Sequence, residues 1–439
     1  MTDVVSGLVV TGGTVLTPAG PVLADVEIVA GRIVSADPNV GTTGAASGGP
    51  PGRSDQGTVG AGAERVPVGA SGVEDAASVV GKRFPAAGGG SPGVGAPPEA
   101  LSAAGLLVVP GFVDLQCNGA VGVDLATEPE RLWEVAAALP QWGVTAWLPT
   151  VVTGPPDVRH RALATLRAGP PTGTAPGATP LGLHLEGPFL APGRRGAHPA
   201  EHLRPPDPAA PAAEDWAGAV ALVTLAPELP GALDLVAALV ERGIAVSAGH
   251  TEATTDQVRA ALDAGVGYVT HLFNAMAPLH HREPGPAGVA LTDDRVRAGI
   301  IADGIHVDPA MVALAARALG PRLSLVTDAV AALGVPPGPV RIGDRWATAR
   351  DDGVRLPDGT LAGSTLALDR AVRNLVAWTG ALLADAVAAV TTTPAALLGL
   401  PDRGIVAPGA VGDLVLLDPG GEVVATVVAG RVLHDRRAA

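Results

Sequence analysis

Four side chains define the chemistry open to this chain. Glu186, His250, His271 and Asp328 each close a short apolar run, in His184-Leu185-Glu186-Gly187-Pro188, Ala248-Gly249-His250-Thr251, Thr270-His271-Leu272 and Thr327-Asp328-Ala329. One carboxylate and two imidazoles make a three-ligand set, and three protein ligands plus a water is the usual form of a catalytic zinc site. The ion would acidify its water and polarise a scissile carbonyl. Asp328 would take the water proton and pass it to a leaving amine. Each residue alone has a blander role. A histidine at a strand end is commonly a hydrogen-bonded structural group, Glu186 could support its Gly-Pro turn, and Asp328 could cap a helix. The joint pattern, with all four at strand ends of one fold, favours the metal.

The residues around this set narrow the chemistry. Strand one ends in Asp114-Leu115-Gln116-Cys117-Asn118-Gly119, with Gln116 and Asn118 where many metal-dependent barrel hydrolases carry His-x-His. Neutral amides are poorer zinc ligands than imidazole. The sole lysine, Lys82, lies in a Gly/Ala/Pro-rich stretch, which removes Schiff-base chemistry and lysine-bridged metal pairs. One divalent ion per subunit is therefore expected: zinc first, with Fe, Co or Mn able to use the same ligands. Gln116 and Asn118 read as hydrogen-bonding partners of ligands or substrate. Cys117 should face the other way by strand alternation, as a small buried residue. Arg282, in the loop His280-His281-Arg282-Glu283-Pro284-Gly285, could hold an anion through two parallel hydrogen bonds, or could simply pair with Glu283.

These groups need a scaffold. Strands are expected at 112–116, 144–151, 180–185, 219–225, 244–248, 267–271, 297–302 and 323–327, with helical segments between most of them, such as 130–139 and 254–264. Eight strands with intervening helices imply a (β/α)₈ TIM barrel, whose C-terminal rim gathers catalytic groups from distant parts of the chain. An open doubly wound sheet is the structural alternative, and no GxGxxG follows a strand to support a dinucleotide site. Short Val/Ile runs joined by Gly and Pro occupy 4–36 and recur at 412–432, so the two chain ends should pair into a small β-sandwich domain. The expected division is 1–40 and 401–439 for that domain, 106–400 for the barrel, and a disordered Gly/Ala/Pro-rich insert at 41–105.

Composition excludes other roles. The 439 residues carry a formal net charge of -14, which argues against nucleic acid and anionic membranes as partners. No apolar run approaches the ~20 residues that span a bilayer, and Met1–Val10 lacks the basic start of a signal peptide, so a cytoplasmic protein is expected. One cysteine leaves no internal disulfide.

The ordered motifs Pro110 to Gly119, His184 to Pro188, Gly249-His250, Thr270 to Met276, Arg282 to Gly285, Ile300 to Asp308, Leu325 to Ala329 and Leu361 to Ser364 resemble the N-acetylglucosamine-6-phosphate deacetylases of the amidohydrolase superfamily. The resemblance covers roughly residues 106–418. It implies a metal at Glu186, His250 and His271, acid/base work at Asp328, and substrate contacts from Ala197 and His198, with His198 near the acetyl carbonyl. It further implies that Asn274, Ala275, Arg282 and the segment Asp303, Gly304, Ile305, His306 hold sugar and phosphate, while Leu361, Ala362 and Gly363 close over the sugar. His306 would look toward a neighbouring subunit, in a homodimer acting on a small amino-sugar phosphate. The insert is longer than the family's usual connection. Ala329-Val330-Ala331-Ala332-Leu333-Gly334 after Asp328 is more apolar than the family pattern, which leaves fine substrate selectivity open.

Overall fold

The structure is a computed structural model that describes residues 7–36 and 98–438. Five strands open the chain: β1 (Leu8–Thr17), β2 (Gly20–Val29), β3 (Arg32–Ser35), β4 (Glu99–Ser102) and β5 (Leu107–Pro110). The eight barrel strands follow as β6 (Phe112–Cys117), β7 (Val144–Val152), β8 (Leu183–Glu186), β9 (Val220–Leu225), β10 (Ala245–Ala248), β11 (Tyr268–Val269), β12 (Arg297–Ile300) and β13 (Leu323–Leu325). A small antiparallel sheet comes next, β14 (Gly338–Ile342), β15 (Arg345–Arg350) and β16 (Gly353–Arg355). The chain ends on β17 (Leu414–Leu417), β18 (Val423–Val428) and β19 (Arg431–Asp435).

The (β/α)₈ barrel is the expected one. Neighbouring strands pair in parallel from β6 through β13 in chain order, with helices such as Thr255–Ala264 and Pro309–Leu319 packed outside. The strands read as continuous apolar runs because both faces are covered, and Trp147, Leu185, Leu222, Val246 and Ile300 are all buried. The first helical segment differs from expectation: a 3₁₀ turn at Pro129–Arg131 and another at Leu139–Trp142 flank a short helix at Leu132–Ala138. Proline stands in the first turn of both 3₁₀ segments, where its missing N–H costs nothing.

The two chain ends meet in one mixed eight-stranded sheet. Strand β5 joins β1 on one side and β17 on the other, so sequence-distant halves share one ladder. Leu8, Val26, Ile28, Val108, Leu414 and Leu416 fill its single core. Two boundaries are corrected. Strand β4, inside the expected insert, pairs in parallel with β1, because Leu101 is an apolar residue that this core can bury. Strand β5, assigned to the barrel, is a member of the small sheet. Residues 41–97 of the expected insert lie outside the described residues.

Strands β6 and β13 share no ladder. The barrel closes instead just beyond β13, where the Asp328 N–H donates to Gln116 O at 2.9 Å and the Asn118 N–H to Ala329 O at 2.7 Å. Sheet β14–β16 then folds over this seam, packing Val340, Ala347, Ala349 and Val354 on Val330, Ala331 and Ala332. That contact accounts for the apolar run after Asp328: it is the floor beneath a cover.

Leu416→Ala should cost about 2–5 kcal/mol, the scale of a large-to-small core change, read as a shift in the urea midpoint. A cost under about 1 kcal/mol would contradict a packed core shared by the chain ends.

Candidate active site

Three side chains from three different strands converge at the C-terminal rim. Glu186 ends β8, His250 follows β10 and His271 follows β11. Their ligand atoms all lie within 4.8 Å of one another, and all three residues are buried. Glu186 Oε1 is 3.2 Å from His250 Nε2 and 3.0 Å from His271 Nε2, and the two nitrogens are 3.1 Å apart. His250 Nδ1 is 2.9 Å from the carbonyl of Arg194, an acceptor only, so Nδ1 carries the proton and Nε2 presents a lone pair. At least two acceptor atoms therefore face one point, an arrangement that a cation relieves. Metal–ligand bonds of about 2.0–2.2 Å in a tetrahedron place ligand atoms roughly 3.4 Å apart, close to what is seen. The site thus fits a divalent metal.

The backbone works to make this convergence. His250, His271, Ala275 and Asp328 have φ of 49°, 27°, 49° and 48°, the left-handed region that non-glycine residues seldom adopt. Such strain concentrates at functional sites. Ahead of His250, Gly249 lies so close to its neighbours that a Cβ would meet Thr270 Cγ2 at 2.4 Å and Thr224 Cγ2 at 2.9 Å. Only glycine lets the chain pass between β9 and β11 before it turns.

Asp328 sits beside the cluster. Its Oδ1 accepts from Gln116 Nε2 at 3.1 Å and from Asn118 Nδ2 at 2.7 Å. Gln116 Nε2 also donates to Glu186 Oε1 at 3.0 Å, and its Oε1 accepts the Thr270 hydroxyl at 2.6 Å. The Gln116 amide therefore links ligand, acid and β11, while the other Asp328 oxygen is left for chemistry. Burial, followed by the Glu186 charge, pushes Asp328 up to about 6. Burial opposes charge on Glu186 too, yet His250, His271 and His198 together hold its carboxyl well below the usual range. Burial also disfavours charge on His271, but the Glu186 carboxylate outweighs it and the net direction is up.

His198 lies in the same pocket. Its ring is 4.5 Å from that of His250, and its Nε2 is 3.8 Å from Glu186 Oε2. The Thr153 N–H donates to His198 Nδ1 at 3.3 Å, so the ring proton is on Nε2, facing the cluster. Burial and then the neighbouring His250 push this imidazole down to about 3, so it stays neutral.

The remaining candidates spread around the rim. Ala197 packs against the cover sheet. Ala275 O accepts the Thr251 N–H at 3.1 Å, and Asn274 Nδ2 donates to Leu272 O at 3.3 Å. The Glu283 carboxylate accepts from Thr255 N and Oγ1, so it does not pair with Arg282. Arg282 is exposed, and its guanidinium has no hydrogen bond or ion pair among the described residues. His306 Nδ1 meets Asp303 Oδ2 at 2.7 Å, the N–H groups of Ile305 and His306 donate to Asp303 Oδ1, and Gly304 stands against Trp378. Leu361 bridges to Arg355 at the edge of the cover sheet, and Gly363, at φ 69°, leads to Ser364, whose N–H donates to Asp328 O at 2.8 Å. Cys117 is fully buried.

Sequence reading missed three groups. Asp114 and Thr327 tie the seam beneath Asp328, and Thr270 fixes the Gln116 amide. Their types are common in any strand, so no spacing marks them. His184 is buried like His198, His250 and His271, but its Nε2 is 2.8 Å from Thr224 Oγ1 and burial pushes it down to about 4. It is a neutral structural group that does not reach the cluster.

A parallel barrel with a buried Glu/His/His cradle at its rim beside an aspartate defines a metal-dependent hydrolase, and the family model agrees. The model of the amidohydrolase family matches residues 107–433, and the chain belongs to that family. It is 39% identical over 363 residues to the N-acetylglucosamine-6-phosphate deacetylase of Homo sapiens, covering 78% of this chain and 87% of that one. It is equally 39% identical to an N-acetylgalactosamine-6-phosphate deacetylase of Escherichia coli O157:H7 over 333 residues, 74% of this chain and 87% of the other. Among solved structures, the N-acetyl-D-glucosamine-6-phosphate deacetylase of Mycobacterium smegmatis, a point variant in complex with N-acetyl-D-glucosamine-6-phosphate, superposes with a TM-score of 0.76 at 34% identity, covering 98% of this chain and 99% of that one.

Glu186→Gln should strip most of the bound metal, because an amide oxygen is a weaker ligand than a carboxylate. Metal analysis after dialysis checks this, and full retention of the ion would contradict the cradle.

Proposed function

We propose that this protein hydrolyses the acetamide of N-acetylglucosamine 6-phosphate to glucosamine 6-phosphate and acetate, in amino-sugar catabolism. The observation that carries the reading is the Glu186–His250–His271 cradle with Asp328 beside it, in a chain 39% identical to a deacetylase of that name. When bound, a divalent ion at those three ligands supplies an acidified water and a polarised carbonyl. Asp328, held by Gln116 and Asn118, accepts the water proton on its free oxygen and returns it to the departing amine. His198 donates a hydrogen bond from its Nε2–H to the acetyl oxygen as negative charge gathers there, keeps its proton, and adds no charge of its own. Ala197, Asn274 and Ala275 line the sugar's place, and Leu361, Ala362 and Gly363 close over it from the edge of the cover sheet. Arg282, with no acid partner among the described residues, takes the phosphate, with Asp303, Gly304, Ile305 and His306 completing that end.

Zinc is the preferred ion, with Fe, Co or Mn as substitutes. The proposal includes a homodimer in which His306 faces a neighbouring subunit's site. It includes a cytoplasmic location, since a phosphorylated sugar does not cross a bilayer unaided. A second reading, the galactosamine epimer, is favoured by the equal identity to the Escherichia coli enzyme.

Acetate release by the metal-loaded protein tests the proposal. Turnover of N-acetylglucosamine 6-phosphate should exceed that of both the unphosphorylated sugar and the galactose epimer. Arg282→Ala should lower kcat/KM for the phosphorylated substrate alone by about 10–100-fold, roughly 1.4–2.8 kcal/mol of transition-state binding. Equal turnover with and without phosphate would remove the phosphate clamp. Asp328→Asn should keep the metal and cut kcat by about 100-fold or more.

The pH profile follows from the same site. Asp328 must be ionised to take a proton, and its metal-free value of about 6 can only fall beside a cation. Turnover should therefore hold above pH 6 and drop with acid below it. An acid limb centred above pH 7 would contradict Asp328 as the base.

A further inference from the structure

Asp114 is a buried acid with no cation beside it among the described residues. It lies within β6, is wholly inaccessible, and has Val113 and Leu115 in the apolar core on either side. All its partners are donors. The Thr327 hydroxyl donates to Oδ2 at 2.6 Å, and the N–H groups of Thr327 and Gln116 reach Oδ1 at 3.3 and 3.2 Å. The two Thr327 bonds cross the gap between β6 and β13, which share no ladder, while the Gln116 bond stays within β6. The Ala329 N–H in turn donates to the Thr327 hydroxyl oxygen at 3.2 Å. Both neighbours of Asp328 are thus tied, directly or through one hydroxyl, to the same carboxylate.

The residue between them needs that support. Asp328 holds φ 48°, an unfavourable conformation for a side chain with a Cβ, and persists in it only where the surroundings over-determine it. An apolar side chain could fill the space of Asp114 without the cost of burying a carboxylate. It could not receive three donors at the seam.

We propose that Asp114, acting through Thr327, is a positioning residue for the reaction: it fixes the backbone of Asp328 so that the carboxylate meets Gln116 and Asn118 and aims at the Glu186–His250–His271 cradle. None of the three metal ligands bonds Asp114 or Thr327, and the one link between them runs through Gln116, so the clamp should act on turnover far more than on metal binding. The inference rests on the deacetylase reading. Inactivity of the wild-type protein on sugar phosphates would sink that reading, whereas an active wild type with indifferent variants would sink only this one.

The test uses the full metal-loaded chain with Asp114→Asn, Thr327→Val, Thr327→Ser and the Asp114→Asn/Thr327→Val double variant. A misplacement of about 1 Å can cost on the order of 100-fold, so kcat should fall ~10–100-fold in the first two, with KM and bound metal within about twofold of wild type. Thr327→Ser keeps the hydroxyl and should turn over nearly as wild type. The double variant should be no slower than the slower single, because both break one unit. Near wild-type kcat in Asp114→Asn, losses that multiply in the double, or metal loss that parallels kcat would each overturn the proposal. If Asp114→Asn does not fold, the contrast between Val and Ser at 327 decides: equal kcat in the two overturns it.

Discussion

The structure depends on one buried convergence of a carboxylate and two imidazoles on a single point, an arrangement that suits a cation. Glu186 Oε1 and the Nε2 atoms of His250 and His271 stand 3.0–3.2 Å apart in a buried pocket. Burying a carboxylate is costly unless it is paired or coordinates a metal. The fold fixes two of the ligands through hydrogen bonds, the Arg194 carbonyl holding His250 and the Gln116 amide holding Glu186, and left-handed backbone turns His250 and His271 off their strands. A divalent cation bound there would be held by all three groups at once.

The surroundings divide labour by charge. His198 and His184 are kept neutral by burial, while Asp328 is raised toward neutrality without being lost as a base. That difference is what a hydrolase needs: a donor that need not discharge and an acid poised to cycle. The cover sheet β14–β16 completes the pocket by packing on the residues just after Asp328. One apolar contact therefore joins substrate enclosure to the acid that would act on it.

Much of this was legible in residue order. Continuous Val/Ile/Leu runs give away barrel strands because both faces are buried, and the residues ending them are the rim. What escaped was geometry at the run's end. Residues 267–271 and 323–327 read as strands, yet the ladders stop at Val269 and Leu325. His271 and Asp328 leave the sheet with positive φ, and nothing in their types announces it. The cover sheet also went unread, because alternating Ala, Thr and Arg in β15 carries little apolar contrast, and so the apolar run Ala329–Leu333 looked like a matter of selectivity. Strand β4 was absorbed into a Gly-rich stretch because four residues are too few to show a period. The Asp114–Thr327 tie was invisible for a different reason: a buried hydrogen bond between residues 213 apart leaves no mark on either neighbourhood.

Anomalous scattering from crystals of the metal-loaded protein would locate the ion. One peak per chain is expected, about 2.0–2.2 Å from Glu186, His250 and His271, with the Asp328 carboxylate alongside. Two ions per chain, or a single peak away from those three side chains, would contradict it.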